Sequence, residues 1–250
     1  MSRRVVSRFR AMSVAVALVL VGWPAAGNPL SDLRQVLNRY PAEAPFAAVG
    51  TVQVHGGAEG SARGGASTFE VESGLAGFAI RLLPDVLEAA EAEATAKKRD
   101  PNSPTPTRTA MVALTIFDVM DAVDGAAMLL NDLSGATLIR QSAAARSGKA
   151  ATLLRIKVKP TLATQSRFVN EPKIELRVWI GADGVPIAAE RDSDYSGSFL
   201  FLKAGNVRKE SWEFSVRGDR LYASRNDAND RASVAGKSMV TSRSVSYSPK

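Results

Sequence analysis

The sequence predicts an α+β protein built on a large antiparallel β-sheet, with about ten strands and about three helices packed on one face. Three observations lead to this fold class. Short runs with alternating apolar and polar residues recur along most of the chain, and glycine-containing turns separate them. Only a few stretches place apolar residues at helical spacing. Strands joined in succession by short turns pair antiparallel, and helices then cover one side of the sheet.

Residues 1–27 have the features of a cleavable export signal. Four arginines come before any acidic residue, the apolar run SVAVALVLV follows over 13–21, and small residues surround a cut after Ala26 or Gly27. Pro24 ends the run short of the roughly 20 residues that a membrane-spanning helix needs. We therefore expect export to the periplasm by general secretion rather than by the twin-arginine route. Contact with a membrane is expected only through this segment, before cleavage.

Residues 28–250 are expected to form a single β-rich domain that is long enough to bury its own core. Cysteine is absent, which excludes disulfides, thiolate metal sites and a lipid-anchored cysteine. The chain has 32 Lys and Arg against 25 Asp and Glu, a formal charge of +7. Four of those cations lie in the export signal, which leaves +3 for the rest. This charge is too mild to indicate a nucleic-acid partner.

The first half of the domain predicts a helix, a three-stranded meander and then more helix. Asn28 and Pro29 have the residue types of a helix start, as N-cap and first helical position. Gly125 is expected to interrupt the last helical region. The predicted helices cover 29–40, 85–98 and 110–133, the strands 46–55, 67–72 and 78–82, and a Pro-rich loop lies at about 99–109.

The second half predicts strands throughout, connected by turns. Ser147-Gly148, Asp183-Gly184 and Gly218-Asp219 are typical turn pairs. The apolar segments that they separate cover 138–139, 153–158, 174–180, 185–190, 212–216, 221–223 and 239–247.

Motifs for common chemistries are missing. His55 is the one histidine, so a zinc site is not expected, and we interpret His55 as an ordinary residue at a strand end. The chain has no G-x-S-x-G elbow, no S-x-x-K motif, no G-x-G-x-x-G fingerprint and no phosphate loop. These observations favour a protein that is not an enzyme and needs no cofactor or metal.

One partial metal motif occurs at 192–197, where DSDYSG matches the first six positions of a calcium loop. The twelfth position, which should be a glutamate, is Lys203. We favour an exposed hairpin end here, so no metal site is predicted.

Two groups of carboxylates are the candidate catalytic residues of a hydrolase. Asp118, Asp121 and Asp124 recur every three residues on a helix, a pattern that is more often a solvated face. Glu175 and Glu190 flank one hairpin, and exposed strand charges of this kind usually pair with neighbouring arginines such as Arg177 and Arg191.

Trp179 stands among polar residues, on the strand face opposite Leu176 and Val178. An indole that leaves water for an apolar surface gains about 2–3 kcal/mol, so an uncovered tryptophan is unfavourable here. We predict that Trp179 is at least partly covered, by the 110–133 helices or by a neighbouring long side chain.

The run LRVWIGADGVPI over 176–187, preceded by the Gly148 hairpin and by 153–160, resembles the periplasmic lipoprotein-carrier superfamily, which includes the LolA and LolB carriers and the RseB-type envelope sensors. The resemblance covers about residues 135–217. It implies a curved half-barrel sheet closed by helices, whose apolar concave side holds an acyl chain or a lipoprotein. Since fold does not imply function, the carrier role is an expectation by analogy.

Our leading hypothesis is therefore a non-catalytic periplasmic protein that binds a lipid, an acyl chain or a lipoprotein. The alternatives are a structural or interaction protein of the envelope and a hydrolase that works with carboxylates alone. The expected ligand-binding residues are apolar and lie on predicted strands: Phe69, Phe78, Ile174, Leu176, Val178, Trp179, Trp212 and Phe214.

Overall fold

The fold is that of a computed structural model, which describes residues 27–58, 63–160, 172–199 and 202–250. The predicted export signal lies outside these residues, apart from Gly27. The described residues form five helices: α1 (Pro29–Leu37), α2 (Pro84–Arg99), α3 (Pro106–Val112), α4 (Ile116–Val123) and α5 (Gly125–Asp132). They also form ten strands: β1 (Phe46–Ala58), β2 (Arg63–Gly74), β3 (Gly77–Leu82), β4 (Thr137–Arg146), β5 (Lys149–Lys157), β6 (Lys173–Ile180), β7 (Pro186–Phe199), β8 (Leu202–Arg217), β9 (Arg220–Val234) and β10 (Lys237–Pro249).

All ten strands belong to one antiparallel sheet in the order β3-β2-β1-β10-β9-β8-β7-β6-β5-β4. The sheet is open and does not close into a barrel, so β3 and β4 are its edges. The last strand, β10, fills the position between β1 and β9 and joins the two meanders. The predicted α+β class with a large antiparallel sheet is confirmed, but the helices number five rather than about three over the described residues.

The helices arise from clear local signals. Asn28 accepts a hydrogen bond from the Leu30 N–H, and Pro29 occupies the first turn of α1. Thr115 and Asp118 form a capping box that starts α4. Asp124 ends α4 and at the same time caps α5, where its carboxylate accepts from the Ala127 N–H at 3.0 Å. This shared cap explains why the predicted 110–133 helical region is divided at Gly125.

The Pro-rich loop is shorter than expected. Residues 100–105 are irregular, but Pro106 begins α3 because proline fits the first turn of a helix, where its missing N–H is not needed. The prediction of a loop through about 109 is therefore wrong for 106–109.

Two strands are much longer than their apolar patterns indicate. The stretch 192–197 that partly matches a calcium loop lies inside β7, and Asp192 pairs with Lys209 in register and with Arg177 through its carboxylate. The hairpin end expected there is thus wrong. Residues 224–234 continue β9 although they are rich in charged and small side chains.

Four helices lie over the same face of the sheet, which we call the inner face. The approach of α3 is the closest, since a Cβ added to Gly65 in β2 would stand 2.0 Å from the Pro106 carbonyl oxygen. Leu33 and Leu37 of α1, with Leu129 of α5, are fully buried in the same core as the strand residues. α2 extends from this layer and buries only Val86.

Candidate functional site

The inner face changes character from one side of the sheet to the other. Apolar residues line it on β1, β2, β5 and β6, while β7, β8 and β10 contribute charged side chains in its middle. One row of residues in register shows this change across seven strands: Ile156, Leu176, Arg191, Glu210, Ala228, Arg243 and Val54.

Glu210 lies at the centre of the charged zone, with only 4% of its side chain exposed. Arg191 donates to its Oε2 from Nε at 3.0 Å and from Nη2 at 2.7 Å. Arg208 donates to Oε1 at 2.6 Å. Two arginines therefore satisfy both oxygens of one buried carboxylate, as burial of a charge requires.

Two acids on the helices form ion pairs with arginines of the sheet. Asp118 of α4 accepts from Arg208 at 2.8 Å and from Arg243 at 2.5 Å, and Asp132 of α5 accepts from Arg191 at 3.1 Å. Burial alone would raise the pKa of Asp118, but Arg243, the Thr115 hydroxyl and Arg208 outweigh it and hold that pKa far below its ordinary value. The helices are thus attached to the sheet by a chain of ion pairs, which we call the inner network.

Asp121 lies in the same region, but its carboxylate has no ion-pair partner among the described residues. Among the described residues, no group donates a hydrogen bond to its carboxylate. Burial raises the pKa of Asp121 to about 6, against the opposing charge of Arg191 and with the support of Glu210, Asp132 and Asp118. It is therefore a half-buried acid beside the inner network, and it can take up a proton near pH 6.

α4 distributes its apolar residues in an unusual way. It buries its three smallest, Val119, Ala122 and Val123, against the sheet. Its three largest are exposed to solvent: Ile116 by 53%, Phe117 by 73% and Met120 by 44%. Large apolar side chains that gather on one exposed helix commonly mark a surface for a ligand or a partner.

Most residues expected to bind a ligand come together beneath this helix layer. Five of them are buried in one cluster: Phe69, Leu176, Val178, Trp212 and Phe214. Phe78 and Ile174 are half-buried at the margin of that cluster. In the described conformation these residues pack against helices, so access to them requires the helices to move.

Trp179 does not join this cluster, since it lies on the opposite, outer face of β6 and across from Leu153 and Ala188. It is only 8% exposed, and the Arg146 guanidinium covers its ring at 4.6 Å. The prediction that Trp179 is covered is confirmed, and the cover is a neighbouring long side chain rather than a helix.

The candidate carboxylates are held by structural contacts. On the outer face, Arg155 pairs with Glu175 at 2.9 Å, while Arg146 and Arg177 hold Glu190 at 2.7 and 3.1 Å. The pairing of Glu190 with Arg177 was expected, but Arg191 points to the other face.

The three-acid stripe is not a solvated face. The Asp118 side chain is 10% exposed within the inner network, Asp124 caps α5, and Asp121 is half-buried. The expected solvent-facing stripe is wrong because α4 lies with these acids toward the arginines of the sheet.

His55 lies within β1, which continues to Ala58, and its side chain is exposed. It is therefore not at a strand end, although it remains outside the inner network. Over the part of the chain that the structure describes, no three or more acids or histidines are grouped so that they could hold a metal ion. Over the same part, no helix has both the length and the apolarity to cross a bilayer.

Sequence reasoning missed the arginines and the glutamate of the inner network. A usable signal was present, because the alternation that places Trp212 and Phe214 on the core face also places Glu210 and Arg208 there. Arg243 precedes Val245 and Tyr247 on the core face of β10 in the same way.

The chain was compared with protein-family models, with curated proteins and with solved structures, and none of the three comparisons finds a match.

Proposed function

We propose that this protein is a non-catalytic binding protein of the periplasm that takes up the apolar chain of an amphiphile, as carried by a lipid or a lipoprotein, between α4 and the inner face of the sheet. The observation that supports it most is the inverted burial of α4, which packs small side chains and exposes Ile116, Phe117 and Met120. In this proposal the open sheet acts as a half-barrel and α4 as a movable cover, which turns Ile116, Phe117 and Met120 toward the ligand when it lifts from the sheet.

The energetics of α4 favour such movement. Its buried apolar face consists of two valines and one alanine, which is a small area for a helix that closes a core. Burial of a full Phe or Met side chain contributes about 1.5–3 kcal/mol, and α4 forgoes much of this in the described conformation. An acyl chain that covered Phe117 and Met120 would recover it, in addition to about 0.8 kcal/mol for each of its own buried CH₂ groups.

The inner network supplies the groups that would bind the polar end of the same ligand. The Nε atoms of Arg208 and Arg243 are buried without a hydrogen-bond partner among the described residues. Arg243 also lies under the end of α3, where its Nη1 donates to the Ala113 carbonyl at 3.0 Å. If α4 lifts, Asp118 leaves both arginines, and an anionic headgroup can replace that carboxylate.

A fluorescent fatty acid tests the proposal directly. We expect 11-(dansylamino)undecanoic acid to increase in emission when it is titrated with the chain that begins at residue 28. Phe117→Ser should weaken its binding about fivefold or more, because the ligand loses the largest exposed side chain of α4. The matched control is Leu75→Ser, which removes an apolar side chain that is 84% exposed in the β2–β3 turn. No emission change with the wild-type chain, or equal losses in both variants, would overturn the proposal.

A second experiment locates the bound chain. Two single-tryptophan variants carry either Trp212 on the inner face, with Trp23→Phe and Trp179→Phe, or Trp179 on the outer face, with Trp23→Phe and Trp212→Phe. Because bromine quenches tryptophan only at short range, 9,10-dibromostearic acid should quench Trp212 and leave Trp179 unchanged. Preferential quenching of Trp179 would place the lipid on the wrong face and contradict the proposal.

A further inference from the structure

The edge strand β4 has free backbone groups and an unusual charge. Among the described segments, no strand lies beyond it in the sheet, so one side of its ten residues offers N–H and C=O groups to a partner. Its central side chains, Ser142 to Ala145, are small and do not shield that edge. At about 3.3 Å a residue, the free edge is on the order of 33 Å long.

Residues 133–160, which contain the β4–β5 hairpin, include six Lys and Arg and no Asp or Glu. Two of the six are neutralised by acids of neighbouring strands, since Arg146 pairs with Glu190 and Arg155 with Glu175. The other four have no ion-pair partner among the described residues: Arg140, Lys149, Lys157 and Lys159. The edge thus carries an excess of positive charge.

The register concentrates this charge on the outer face. Arg140 of β4 stands opposite Arg155 of β5, which stands opposite Arg177 of β6. Like charges directly opposite each other are unfavourable in a sheet. Glu175 neutralises Arg155, and Asp192 neutralises Arg177. Arg140 is exposed and has no acidic partner among the described residues.

We propose that β4 docks an extended acidic polypeptide segment, which adds to the sheet as an eleventh strand. Every second residue of the segment would be acidic and lie on the outer face near Arg140 and Lys149. The residues between them would be apolar and lie on the inner side, across from Gln141, Ala143 and Ala145, in the alternation that strand geometry imposes. The cations of β4 and β5 repel basic segments and second copies of the same edge. An acidic segment is attracted to them instead. This interaction is independent of lipid binding beneath α4.

Two labelled decapeptides of equal charge test the proposal, one with alternating Glu and Val and the other with alternating Glu and Pro. Only the first can form a strand, because proline lacks the N–H that an added strand donates. In fluorescence polarisation with the full chain, we expect the Glu-Val peptide to bind at least tenfold more tightly. Equal affinities would mean simple charge attraction and would overturn the docking of a strand.

Variants and exchange measurements locate the site. Arg140→Glu together with Lys149→Glu should weaken the Glu-Val peptide at least tenfold, whereas Arg81→Glu at the other edge strand, β3, should change it less than twofold. The peptide should slow hydrogen exchange of the β4 amides and leave those of β3 unchanged. Protection confined to β3, or binding of anionic phosphatidylglycerol vesicles without binding of the peptide, would contradict the proposal.

Discussion

Arg220 is a charged residue at the start of β9 that lies in the core with 1% exposure. Its guanidinium donates to the carbonyl oxygens of Ala42 and Ala44 and to the Ser73 hydroxyl, and it lies 5.2 Å from the ring of Phe46. Burial lowers the pKa of Arg220, while Asp124 and Asp219 oppose that shift. The Arg220 side chain therefore attaches the connection between α1 and β1 to the β8–β9 hairpin.

Replacement of Arg220 should lower the stability of the folded protein. We expect Arg220→Met to lower the free energy of unfolding by about 2–4 kcal/mol, because several buried acceptors lose their donor at once. Urea denaturation followed by circular dichroism measures the change. Arg217→Met, on the same hairpin but exposed, is the control and should shift stability by less than about 0.5 kcal/mol. A loss of similar size in both variants would mean that the buried contacts of Arg220 are not the cause.

The cover over Trp179 can be tested in the variant in which Trp23 and Trp212 are both phenylalanine. Removal of the guanidinium by Arg146→Ala should move the emission maximum to longer wavelength, because water then reaches the indole. Arg140→Ala, on the same face of the same strand, should leave the maximum in place. An unchanged spectrum after Arg146→Ala would show that another group covers Trp179.

Single residues also show how far sequence reasoning reaches. The face of Trp179 follows from alternation within one strand, so its direction and the need for a cover could be predicted. Whether a helix or a long side chain covers it stayed open, because Arg146 lies 33 positions away on β4. The partners of Arg191 could not be predicted in this way. Asp132 is 59 positions away, and it contacts Arg191 only because the fold places α5 over β7. Local patterns determine which way a side chain points, and the topology determines what it meets.

Among the elements, α3 depends most directly on a single backbone position. Gly65 faces its first turn, where an added Cβ would stand 2.0 Å from the Pro106 carbonyl oxygen and 3.2 Å from the Ala110 nitrogen. Because both are backbone atoms, the helix as a whole would have to shift. No pattern within β2 indicates this contact, and the strand predicted from the sequence begins only at residue 67.

We expect Gly65→Ala to destabilise the protein by about 1–3 kcal/mol and to increase hydrogen exchange of the α3 amides. Gly64→Ala is a neighbouring control, because its added Cβ would meet mainly the movable His55 side chain, at 3.2 Å. Thermal unfolding and exchange mass spectrometry measure the two effects. A tolerated Gly65→Ala with unchanged exchange in α3 would disprove the close packing of α3 on β2.

The attachment of α4 should depend on pH through Asp121. The pKa of Asp121 is about 6 in the folded protein and 3.8 in its ordinary state, so folding favours its protonated form. Its contribution to stability therefore rises as the pH falls from above 6 to below 4, and ionised Asp121 is destabilising at pH 8. We expect Asp121→Asn to be about 1–2 kcal/mol more stable than the wild type at pH 8, an amount reduced because the side chain is only half-buried.

This advantage should disappear at pH 4, where the wild-type carboxyl is protonated as well. Urea denaturation at pH 4, 6 and 8 measures it. Asp118→Asn should behave in the opposite way at pH 8 and lower stability, since arginines hold the pKa of Asp118 far below its ordinary value. If Asp121→Asn were the less stable protein at pH 8, ionised Asp121 would be a favourable partner of Arg191 instead.

At the scale of the whole molecule, the sheet consists of two meanders, and pairing between the first and last strands holds them together. β1 near the beginning pairs with β10 at the end, from Ala48 with Pro249 to Ala58 with Met239. The sequence indicated the number of strands and most hairpins, because their turns are local: Ser147 and Gly148 both have positive φ, as a two-residue hairpin turn requires. It could not indicate that β10 inserts between β1 and β9, since no short-range pattern encodes a contact of this sequence separation.

From this topology we expect cooperative folding to depend on β10. It contributes Val245 and Tyr247 to the core, and Tyr247 meets Phe69 of β2 edge to face at 6.0 Å. Without β10, two long strand edges open in the middle of the sheet, and the β1–β3 meander keeps only its contacts with helices and those with Arg220 and Tyr222 at the start of β9.

We therefore expect a chain that ends at Gly236 to lose its single urea transition and to aggregate or unfold in stages, as followed by circular dichroism and light scattering. A chain that lacks only Lys250 is the control. It should keep one transition, because its missing residue contributes surface contacts with Ala47, Glu70 and Arg217. If the shorter chain still unfolded in one step with an unchanged dependence on urea, the two meanders would be held together by the helices, and β10 would be an accessory strand.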